Sequence, residues 1–522
     1  MRYLFFILFI LHLPFIYAQV DETWSEEIKY NSNVLKTIPK DEHSYFVITA
    51  VNSSLKDLRI HHFSYGKLLY EELLAPRVNS VISRIEDVFI VDQQLYLFFS
   101  EENTSGNTLY AQSINEQCQL VGAPILLQEQ EIKGGLTSKE ISYAISISPN
   151  RQFLSVSYLF NNNNVFEFPD LITSIYDHQL KLLTQDKVKT ESYLSRTSIE
   201  AIRMTNKGVV MTLIQDYKTP SSSKLKFNTL NLYKTDTAKV SDHIVLESGE
   251  YSFFNPIFST PNDSLYMIAY QYNTIGKWSV NEGAKGVMFY QYAVVTDSLS
   301  ERNEIEFNKL ELPKRLSVKE RKKYNKALAK GRDYNLALFR CKLRELTPLE
   351  DGSLLITLEE NWNETRYYYS GRLETSYTVY NYNSILVMKY DAQLVSDYEI
   401  SIPKFQISRD DNGYYSSFFQ HFSPSGQLYL MFNDNLNNYS VIGEYLTNQQ
   451  PYNFSLNSNK FCTALVQIDI ATGNYNRKTL FDKNDIDNLL VPRLFEIDQY
   501  FKTNILTFNR RNRFRFAKMN FQ

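Results

Sequence analysis

The sequence predicts an all-β fold and, within that class, a β-propeller. A turn, a strand and a partner strand recur eight times, at intervals of about 50–90 residues, which is typical of propeller blades. Aromatic residues are abundant, with 38 Tyr and 34 Phe, and aromatic side chains favour strands. These observations predict eight blades, or seven if one unit is not a full blade.

Each unit is centred on an apolar strand that follows a polar turn. The central strands are predicted at residues 44–51, 94–101, 152–159, 208–215, 264–271, 353–360, 427–434 and 504–511. Partner strands such as "LRIHHFS" and "SILVMKYD" follow, and several continue to an outer strand, as in "YDHQLKLLTQDKV". Turns such as "SPNRQ" and "SPSGQ" suit tight connections between strands. A β-solenoid is the alternative, but its coils are shorter and more uniform.

The two ends of the chain indicate how the ring is completed. The last unit, residues 494–521, has a central and a partner strand but no outer strand. The N-terminal segment "EEIKYNS", residues 26–32, is a strand without a unit of its own. An open ring would leave two bare sheet edges. We therefore expect the N-terminal strand to complete the C-terminal blade, which makes residues 19–522 one propeller domain.

One segment interrupts the strand pattern with a helical insertion at about residues 313–333. Between Lys314 and Arg332 it carries nine Lys or Arg and one acidic residue, Glu320. The composition predicts a short helix before blade six. Its basic residues predict either a docking surface for an anionic partner or simply a solvated face. The candidate docking residues are Lys319, Arg321, Lys322 and Lys323.

The first 18 residues predict a secretory signal peptide. Arg2 precedes an apolar run over residues 4–13, and Pro14 and Ala18 follow, with cleavage after Ala18. A membrane anchor is the alternative, but the run is short for a bilayer and Pro14 interrupts it. No later stretch approaches spanning length, so we expect no membrane span after cleavage. The expected location is secreted, periplasmic or at the cell surface.

Composition excludes several classes of function. The formal net charge of −3 argues against general nucleic-acid binding. Three cysteines, Cys118, Cys341 and Cys462, cannot form a disulfide scaffold, and their spacing matches no zinc motif. No nucleophile elbow, phosphate loop or dinucleotide turn occurs. The sequence therefore predicts no metal site, no cofactor and no identifiable catalytic site.

The most suggestive loop is "IPKFQISRDDNGYYSSF", residues 402–418, which we predict to cross from blade six to blade seven. Asp410 and Asp411 are adjacent and lack a distal acid, so a tight turn with Gly413 at positive φ is favoured over a calcium site. Asn433 and Asp434 end the central strand of blade seven, at a rim where propellers bind ligands. The candidate ligand contacts are Lys404, Gln406, Tyr414, Tyr415, Asn433 and Asp434.

Three stretches carry a resemblance to a known group of proteins. They are "SIYDHQLKLLTQDKV", "SILVMKYDAQLVSDYEISIPKFQ" and "YYSSFFQHFSPSGQLYLMFND". Together they resemble secreted, uncharacterised β-propeller-like proteins of Bacteroidota over residues 140–520. The matching positions are Pro403, Lys404, Gln406, Ser416, Ser417, Phe432, Asn433 and Asp434, whereas Thr184 stands where Trp is frequent in that group. The resemblance implies export into a Gram-negative envelope and no particular activity.

Three functions are compatible with these features. A non-enzymatic binding or scaffold propeller of the envelope or cell surface is the main expectation, because the repeat is complete and no catalytic constellation is evident. Its expected partner is a protein or glycan of the envelope. The alternative is a glycan hydrolase or lyase whose carboxylates converge on the central channel. A third hypothesis is an assembly subunit that docks through the basic helix.

Overall fold

The computed structural model is built almost entirely from antiparallel sheets. It describes residues 20–521 except for residues 30–32, 52–56, 79–80, 104–105, 132–140, 161–167, 191–196, 218–227, 238–241, 249–250, 263, 275–282, 308–317, 332–336, 339, 371–372, 424, 448–450, 456–457, 495, 499–502 and 511–512. The predicted signal peptide lies outside the described residues. Among those residues, no helix has both the length and the apolar composition to cross a membrane.

Eight sheets of at least four strands follow one another along the chain, as the sequence predicts for an eight-bladed propeller. We number them blades 1 to 8 and number the strands within a blade in sheet order. Blade 1 contains Val34–Pro39, Ser44–Ala50, Leu58–Ser64 and Lys67–Leu74. Blade 2 contains Arg84–Val91, Gln94–Asn103, Gly106–Ile114 and Leu120–Glu131. Blade 3 contains Ala144–Ile147, Phe153–Phe160, Asp170–Asp177 and Leu182–Lys189. Blade 4 contains Thr197–Met204, Val210–Tyr217, Asn228–Thr235 and Asp242–Ser248.

Blades 5 to 7 carry additional elements. Blade 5 contains Tyr251–Asn262, Leu265–Thr274 and Gly286–Ala293, and its third strand pairs with both Ser298–Leu299 and Asn303–Glu306. Blade 6 contains Cys341–Pro348, the long hairpin Leu354–Ser370 and Leu373–Tyr390, and Ser396–Ile402, with Gln406–Arg409 also on its third strand. Blade 7 contains Phe419–Phe422, Gln427–Asn435, Phe461–Asp469 and Tyr475–Asp482. A two-stranded sheet of Arg77–Val78 and Val81–Ile82 links blades 1 and 2.

Blade 8 is completed by the N-terminal segment. Its own strands are Leu489–Leu490 and Glu496–Asp498, both paired with Thr503–Arg510, and then Arg513–Phe521. Val20–Trp24 pairs antiparallel with that last strand, from Val20 opposite Phe521 to Trp24 opposite Ala517. Ile28–Lys29 extends the pairing. The N-terminal segment thus pairs with the C-terminal blade as expected, although most of the pairing lies N-terminal to the predicted segment 26–32.

Apolar clusters join each blade to the next. The cluster between blades 1 and 2 contains Phe46 and Phe99, and the one between blades 6 and 7 contains Val387 and Leu430. Blade 8 and blade 1 share a cluster as well, in which Val47 lies with Phe514 and Phe516. Both faces of each sheet are therefore covered by neighbouring sheets, which explains why the second and third strands are apolar without strict alternation.

The first strands lie toward the centre and the fourth strands lie outside. The first strands of blades 3, 4, 5 and 6 contact one another in succession. The fourth strand of blade 3, Leu182–Lys189, has no buried residue and is largely exposed. The centre of the molecule is thus bordered by first strands, whose inner edges have no sheet partner.

The predicted helix is present before blade 6 as α1, Val318–Leu328. One short 3₁₀ helix, Leu436–Asn438, follows the second strand of blade 7. Another, Pro492–Leu494, lies between the strands Leu489–Leu490 and Glu496–Asp498 of blade 8. Cys118, Cys341 and Cys462 are all buried and form no disulfide.

Two histidines, the buried His61 and the half-buried His421, make the stability of this fold sensitive to pH. Burial lowers the pKa of His61 and that of His421 to about 4, with Glu71 opposing the shift at His61. In the unfolded chain both titrate near pH 6.5, so between these values the unfolded state binds more protons. Their stabilising effect is complete above pH 6.5 and is lost as the pH falls toward 4.

We therefore expect the urea midpoint to fall between pH 6.5 and 4.5. The corresponding loss of unfolding free energy is about 1–3 kcal/mol for His61 and smaller for His421, because solvent screens a half-buried group. His421→Phe keeps an aromatic ring against Phe521, whose centroid is 4.9 Å away. This variant should flatten the dependence, and His61→Leu should flatten it further. A double variant with the wild-type slope would contradict the assignment.

Candidate functional site

The two faces of the propeller differ in how much chain they carry. On one face, which we call the turn face, first and second strands are joined by short turns such as Lys40–His43. On the other, which we call the mouth face, lie the connections between blades and those between second and third strands. The mouth face carries α1, the tip of the blade 6 hairpin, the loop 403–418 and the connection 436–460. Candidate residues from the sequence are concentrated on the mouth face.

The loop 403–418, which we call the mouth loop, is anchored by a buried ion pair. Lys404 Nζ donates to Glu359 Oε1 at 2.7 Å, and both side chains are fully buried. The same ammonium donates to Gln406 Oε1 at 3.0 Å and to the Tyr382 carbonyl at 3.3 Å, so all three of its donors are used. Burial lowers the pKa of Lys404, and the adjacent Glu359 carboxylate opposes this shift.

Ser417 closes the mouth loop in a strained conformation. Its φ of +80° lies in the left-handed region, where a residue with a Cβ costs about 1 kcal/mol or more. Two hydrogen bonds compensate: Ser417 N donates to Gln406 Oε1, and its Oγ donates to Glu359 Oε2, both at 2.8 Å. Arg344 Nη2 also donates a hydrogen bond to Ser417 Oγ, at 2.6 Å. The ion pair therefore fixes both ends of the mouth loop.

The turn within the mouth loop is as predicted. Gly413 has φ of +66°, and a Cβ there would lie 2.6 Å from the Tyr382 ring. Asp411 Oδ1 accepts from Ser408 Oγ at 2.6 Å and from Gly413 N at 2.9 Å. Its carboxylate thus stabilises the turn. No group of three or more His, Cys, Asp or Glu among the described residues is arranged to hold a metal ion.

The mouth loop also contacts residues of blades 8 and 1. Tyr414 Oη donates to the carbonyl of Val34 in blade 1 at 3.4 Å. The Arg493 guanidinium of blade 8 lies 4.4 Å from the centroid of the Tyr414 ring. Tyr415 packs edge-to-face on Tyr414 at 4.9 Å. Consequently the loop that joins blades 6 and 7 covers the centre of the mouth face toward blades 8 and 1.

Asn433 and Asp434 belong to a second buried network beside the mouth loop. Asn433 Nδ2 donates to the carbonyls of Tyr415 and Leu490, at 2.8 and 2.6 Å. Asp434 forms a buried ion pair with Arg477 and accepts from Tyr439 Oη at 2.7 Å. These groups link the mouth loop and the connection 436–460 to blades 7 and 8.

The six candidate ligand contacts thus lie together, and they bond to protein groups. Lys404, Gln406, Tyr414, Asn433 and Asp434 are buried, and Tyr415 is half-buried. Their contacts position the mouth loop, and a role in ligand binding stays a prediction. On α1, the side chains of Arg321, Lys322 and Lys323 are exposed, and Lys319 lies in the first turn. Docking through α1 likewise stays a prediction.

The structure brings together a second group of residues that the sequence pattern did not single out. The first strands of blades 1, 2, 4, 5 and 6 each contain a β-bulge in their first half. The extra residues are Leu35, Glu86, Glu200, Asn255 with Pro256, and Arg344. A bulge re-aims side chains away from strict alternation. Bulges on five first strands therefore change which side chains each strand presents at the centre of the molecule.

The first strands of blades 4 to 6 carry a group of polar residues that we call the cavity cluster: Arg203, Ser259, Lys342, Arg344 and Glu345. Ser259 Oγ of blade 5 donates to Glu345 Oε1 of blade 6 at 2.7 Å. Arg203 of blade 4 is attracted by the same carboxylate. Arg344 links the cavity cluster to the mouth loop, with its Nε 3.5 Å from Glu359 Oε2. Three adjacent blades thus contribute to one polar wall.

The cavity cluster lies at the centre of the molecule. Arg203 and Lys342 are exposed, and both lie on first strands, which border that centre. Burial lowers the pKa of each of these two cations. Burial raises the pKa of Glu345, and the hydrogen bond from Ser259 and the charge of Arg203 oppose this shift.

Charges on the opposite wall are paired with each other. In blades 1 and 2, Lys36 Nζ lies 2.9 Å from Asp87 Oδ1, and Ser100 Oγ donates to Glu86 Oε1 at 2.5 Å. Arg84 is 3.6 Å from Glu86. By contrast, Arg203 and Lys342 form no salt bridge with any described residue. Cations available to a ligand are thus found on the side of blades 4 to 6.

Comparison with known proteins gives similarity to solved structures only. No family model matches the chain, and no curated protein matches it. A puromycin hydrolase aligns with 91% of this chain and 58% of its own, at 9% identity and a TM-score of 0.38. Prolyl oligopeptidase B from Galerina marginata aligns with 91% and 55%, at 9% identity and a TM-score of 0.37. The tricorn protease aligns with 78% and 33%, at 10% identity and a TM-score of 0.34.

These comparisons correct the functional expectation drawn from the sequence. The matched structures are described as hydrolases, oligopeptidases and proteases, so both the non-enzymatic binding or scaffold propeller and its glycan-active alternative are wrong as predictions. The chain spans less than two thirds of the length of the first two structures. The likeness concerns the fold, and function must be argued from the residues of this chain.

The buried ion pair gives a direct test of how the mouth loop is held. Lys404→Met leaves the Glu359 carboxylate without its buried counter-ion, so we expect a loss of about 3–5 kcal/mol in unfolding free energy. Lys404→Met combined with Glu359→Gln should recover part of that loss. Urea unfolding at pH 7 measures both. Lys207→Met, at an exposed lysine, is the control and should change stability by less than about 0.5 kcal/mol.

Proposed function

We propose that this chain serves peptide hydrolysis, as a propeller that takes short peptides into its central space from the mouth face. The observation that carries the proposal is the cavity cluster. Arg203 and Lys342 form no salt bridge with any described residue, although Glu345 attracts Arg203 and Glu359 attracts Lys342. A short peptide brings a carboxylate, which complements this positive charge.

The inner edges of the first strands supply a second means of holding a peptide. Each first strand pairs with its second strand on one side only, and its other edge has no strand partner among the described residues, although in blade 6 the Leu343 N–H and the Cys341 carbonyl on that edge bond to the Gln271 side chain of blade 5. An extended peptide can add to such an edge through main-chain hydrogen bonds. The bulges interrupt each edge after a few residues. A short segment therefore fits this edge better than a long strand does.

The mouth loop defines where a peptide would enter. It covers the mouth face toward blades 7, 8 and 1, whereas the cavity cluster lies on blades 4 to 6. On the turn face, the turns of blades 1 to 4 bond to one another. Arg151 Nη2 donates to the Pro39 carbonyl at 3.1 Å, and Asn150 N donates to Asn206 Oδ1 at 2.7 Å. Entry beside the cavity cluster is therefore from the mouth face.

The proposal includes a location outside the cytoplasm, supported by Arg2, the apolar run 4–13 and Ala18. N-terminal sequencing of the protein from its native cells should begin at Gln19. A chain that begins at Met1 would remove this part of the proposal and leave the peptide function standing.

The functional test combines binding with hydrolysis. The purified chain is incubated with a defined library of peptides two to six residues long, binding is measured by calorimetry, and products are measured by mass spectrometry. We expect binding of short peptides, weakened about three- to tenfold by Lys342→Met because a charge interaction is removed. Lys322→Met, on α1, is the matched control and should bind as wild type does.

The outcomes separate two forms of the same proposal. Cleavage by the chain alone would assign hydrolysis to its own residues. Binding without cleavage would assign it a role in delivering peptides to a hydrolase. Absence of both binding and cleavage across the library would overturn the proposed function.

A further inference from the structure

The residues of the cavity cluster lie at different depths between the mouth face and the turn face. First strands run from the mouth face toward the turn face, so Lys342 lies near the mouth, Arg344 and Glu345 lie deeper, and Arg203 lies next to the turn that starts at Thr205. A strand advances about 3.3 Å per residue, and the bulge at Arg344 removes about one residue of that advance, which places Lys342 and Glu345 about 7 Å apart along the wall. Arg203 lies deeper than Glu345, and the whole span from Lys342 to Arg203 corresponds to about three residues of extended peptide.

The deepest cation has unused hydrogen-bonding capacity. A guanidinium has five N–H donors, and among the described residues Arg203 donates one hydrogen bond, from Nη1 to the Ile202 carbonyl at 2.8 Å. Arginine presents paired donors whose geometry matches a carboxylate. The nearest charged neighbour, Glu345, already accepts from Ser259. Arg203 is therefore equipped to bind an incoming carboxylate.

The net positive charge of this wall favours the C-terminal carboxylate of a peptide over its N-terminal ammonium group. On the first strands of blades 4 to 6, the described charged residues are three cations and two carboxylates: Arg203, Lys342, Arg344, Glu200 and Glu345. The neighbouring Lys404 and Glu359 cancel each other. An ammonium group would meet a net positive wall with one carboxylate already engaged. A carboxylate would pass Lys342 and Arg344 before it reaches Arg203.

We infer that the substrate class is short peptides with a free C-terminus, about three residues long, which enter carboxylate first and are held at that carboxylate by Arg203. The inference rests on the proposed function and deepens it, because it fixes the polarity and length of the bound peptide. Lys342 and Arg344 attract the carboxylate on its way inward. The N-terminal end of the peptide then lies near the mouth loop.

The test compares four probes on the full chain: trialanine, its C-terminal amide, N-acetyl-trialanine and hexaalanine. We expect trialanine and N-acetyl-trialanine to bind alike and the amide to bind at least about tenfold more weakly, because the amide removes the charge-assisted bond. Hexaalanine should bind no more than about twofold more tightly than trialanine, because residues beyond the third lie outside the wall.

Variants of Arg203 test whether this residue is the source of the preference for the peptide acid over the peptide amide. Arg203→Met should abolish the preference for acid over amide, and Arg203→Lys should retain part of it because the charge remains without the paired donors. Lys36→Met, at a paired cation on the opposite wall, should keep the full preference. Circular dichroism melts confirm that each variant is folded, and Arg203→Lys serves as the test if Arg203→Met is not.

Two results would overturn the inference, and they differ from failure of the proposed function. Equal binding of acid and amide by wild type would exclude recognition of the carboxylate while leaving peptide uptake intact. An undiminished preference in Arg203→Met would exclude Arg203 as its source. Failure of all four probes and of the wider peptide library would instead remove the proposed function itself.

Discussion

Packing of each sheet against its two neighbours is the constraint on which the rest of this structure depends. Both faces of a blade are apolar, as in the clusters that join blade 1 to blade 2 and blade 8 to blade 1. Each cluster removes several large side chains from water, at about 25 cal/mol for each Å² of apolar surface. Polar chemistry is therefore confined to strand ends and to the inner and outer edges of the blades.

This confinement of polar residues explains why the charges that anchor the mouth loop and those of the cavity cluster differ in burial and in pairing. At the strand ends of blades 6 and 7, charges are fully buried and must be satisfied by protein, as Lys404 is by Glu359, Gln406 and the Tyr382 carbonyl. At the inner edge, Arg203 and Lys342 are exposed and form no salt bridge with any described residue. The first group holds the mouth loop in place, and the second can exchange water for a ligand.

The two groups are also physically connected. Arg344 lies in the bulge of blade 6, contacts Glu359 and Ser417, and is partly exposed to the central space. Ser417, which accepts from Arg344, has its backbone held in a strained conformation by that same network. The cavity cluster and the mouth loop are thus linked through a single side chain.

The sequence by itself determined the strands, their order and the blade count, because apolar runs and turn residues are local signals that a sheet of any shape would preserve. It also identified α1, the Gly413 turn and completion of blade 8 by the N-terminal strand. Tertiary structure alone decided which polar residues face the centre. Arg203 is far from Lys342 and Glu345 in sequence, and a one-residue bulge changes the direction of the side chains that follow it. Likewise, the burial of Lys404 and Asp434 depends on the chain that covers them, and residues from separate blades supply that cover.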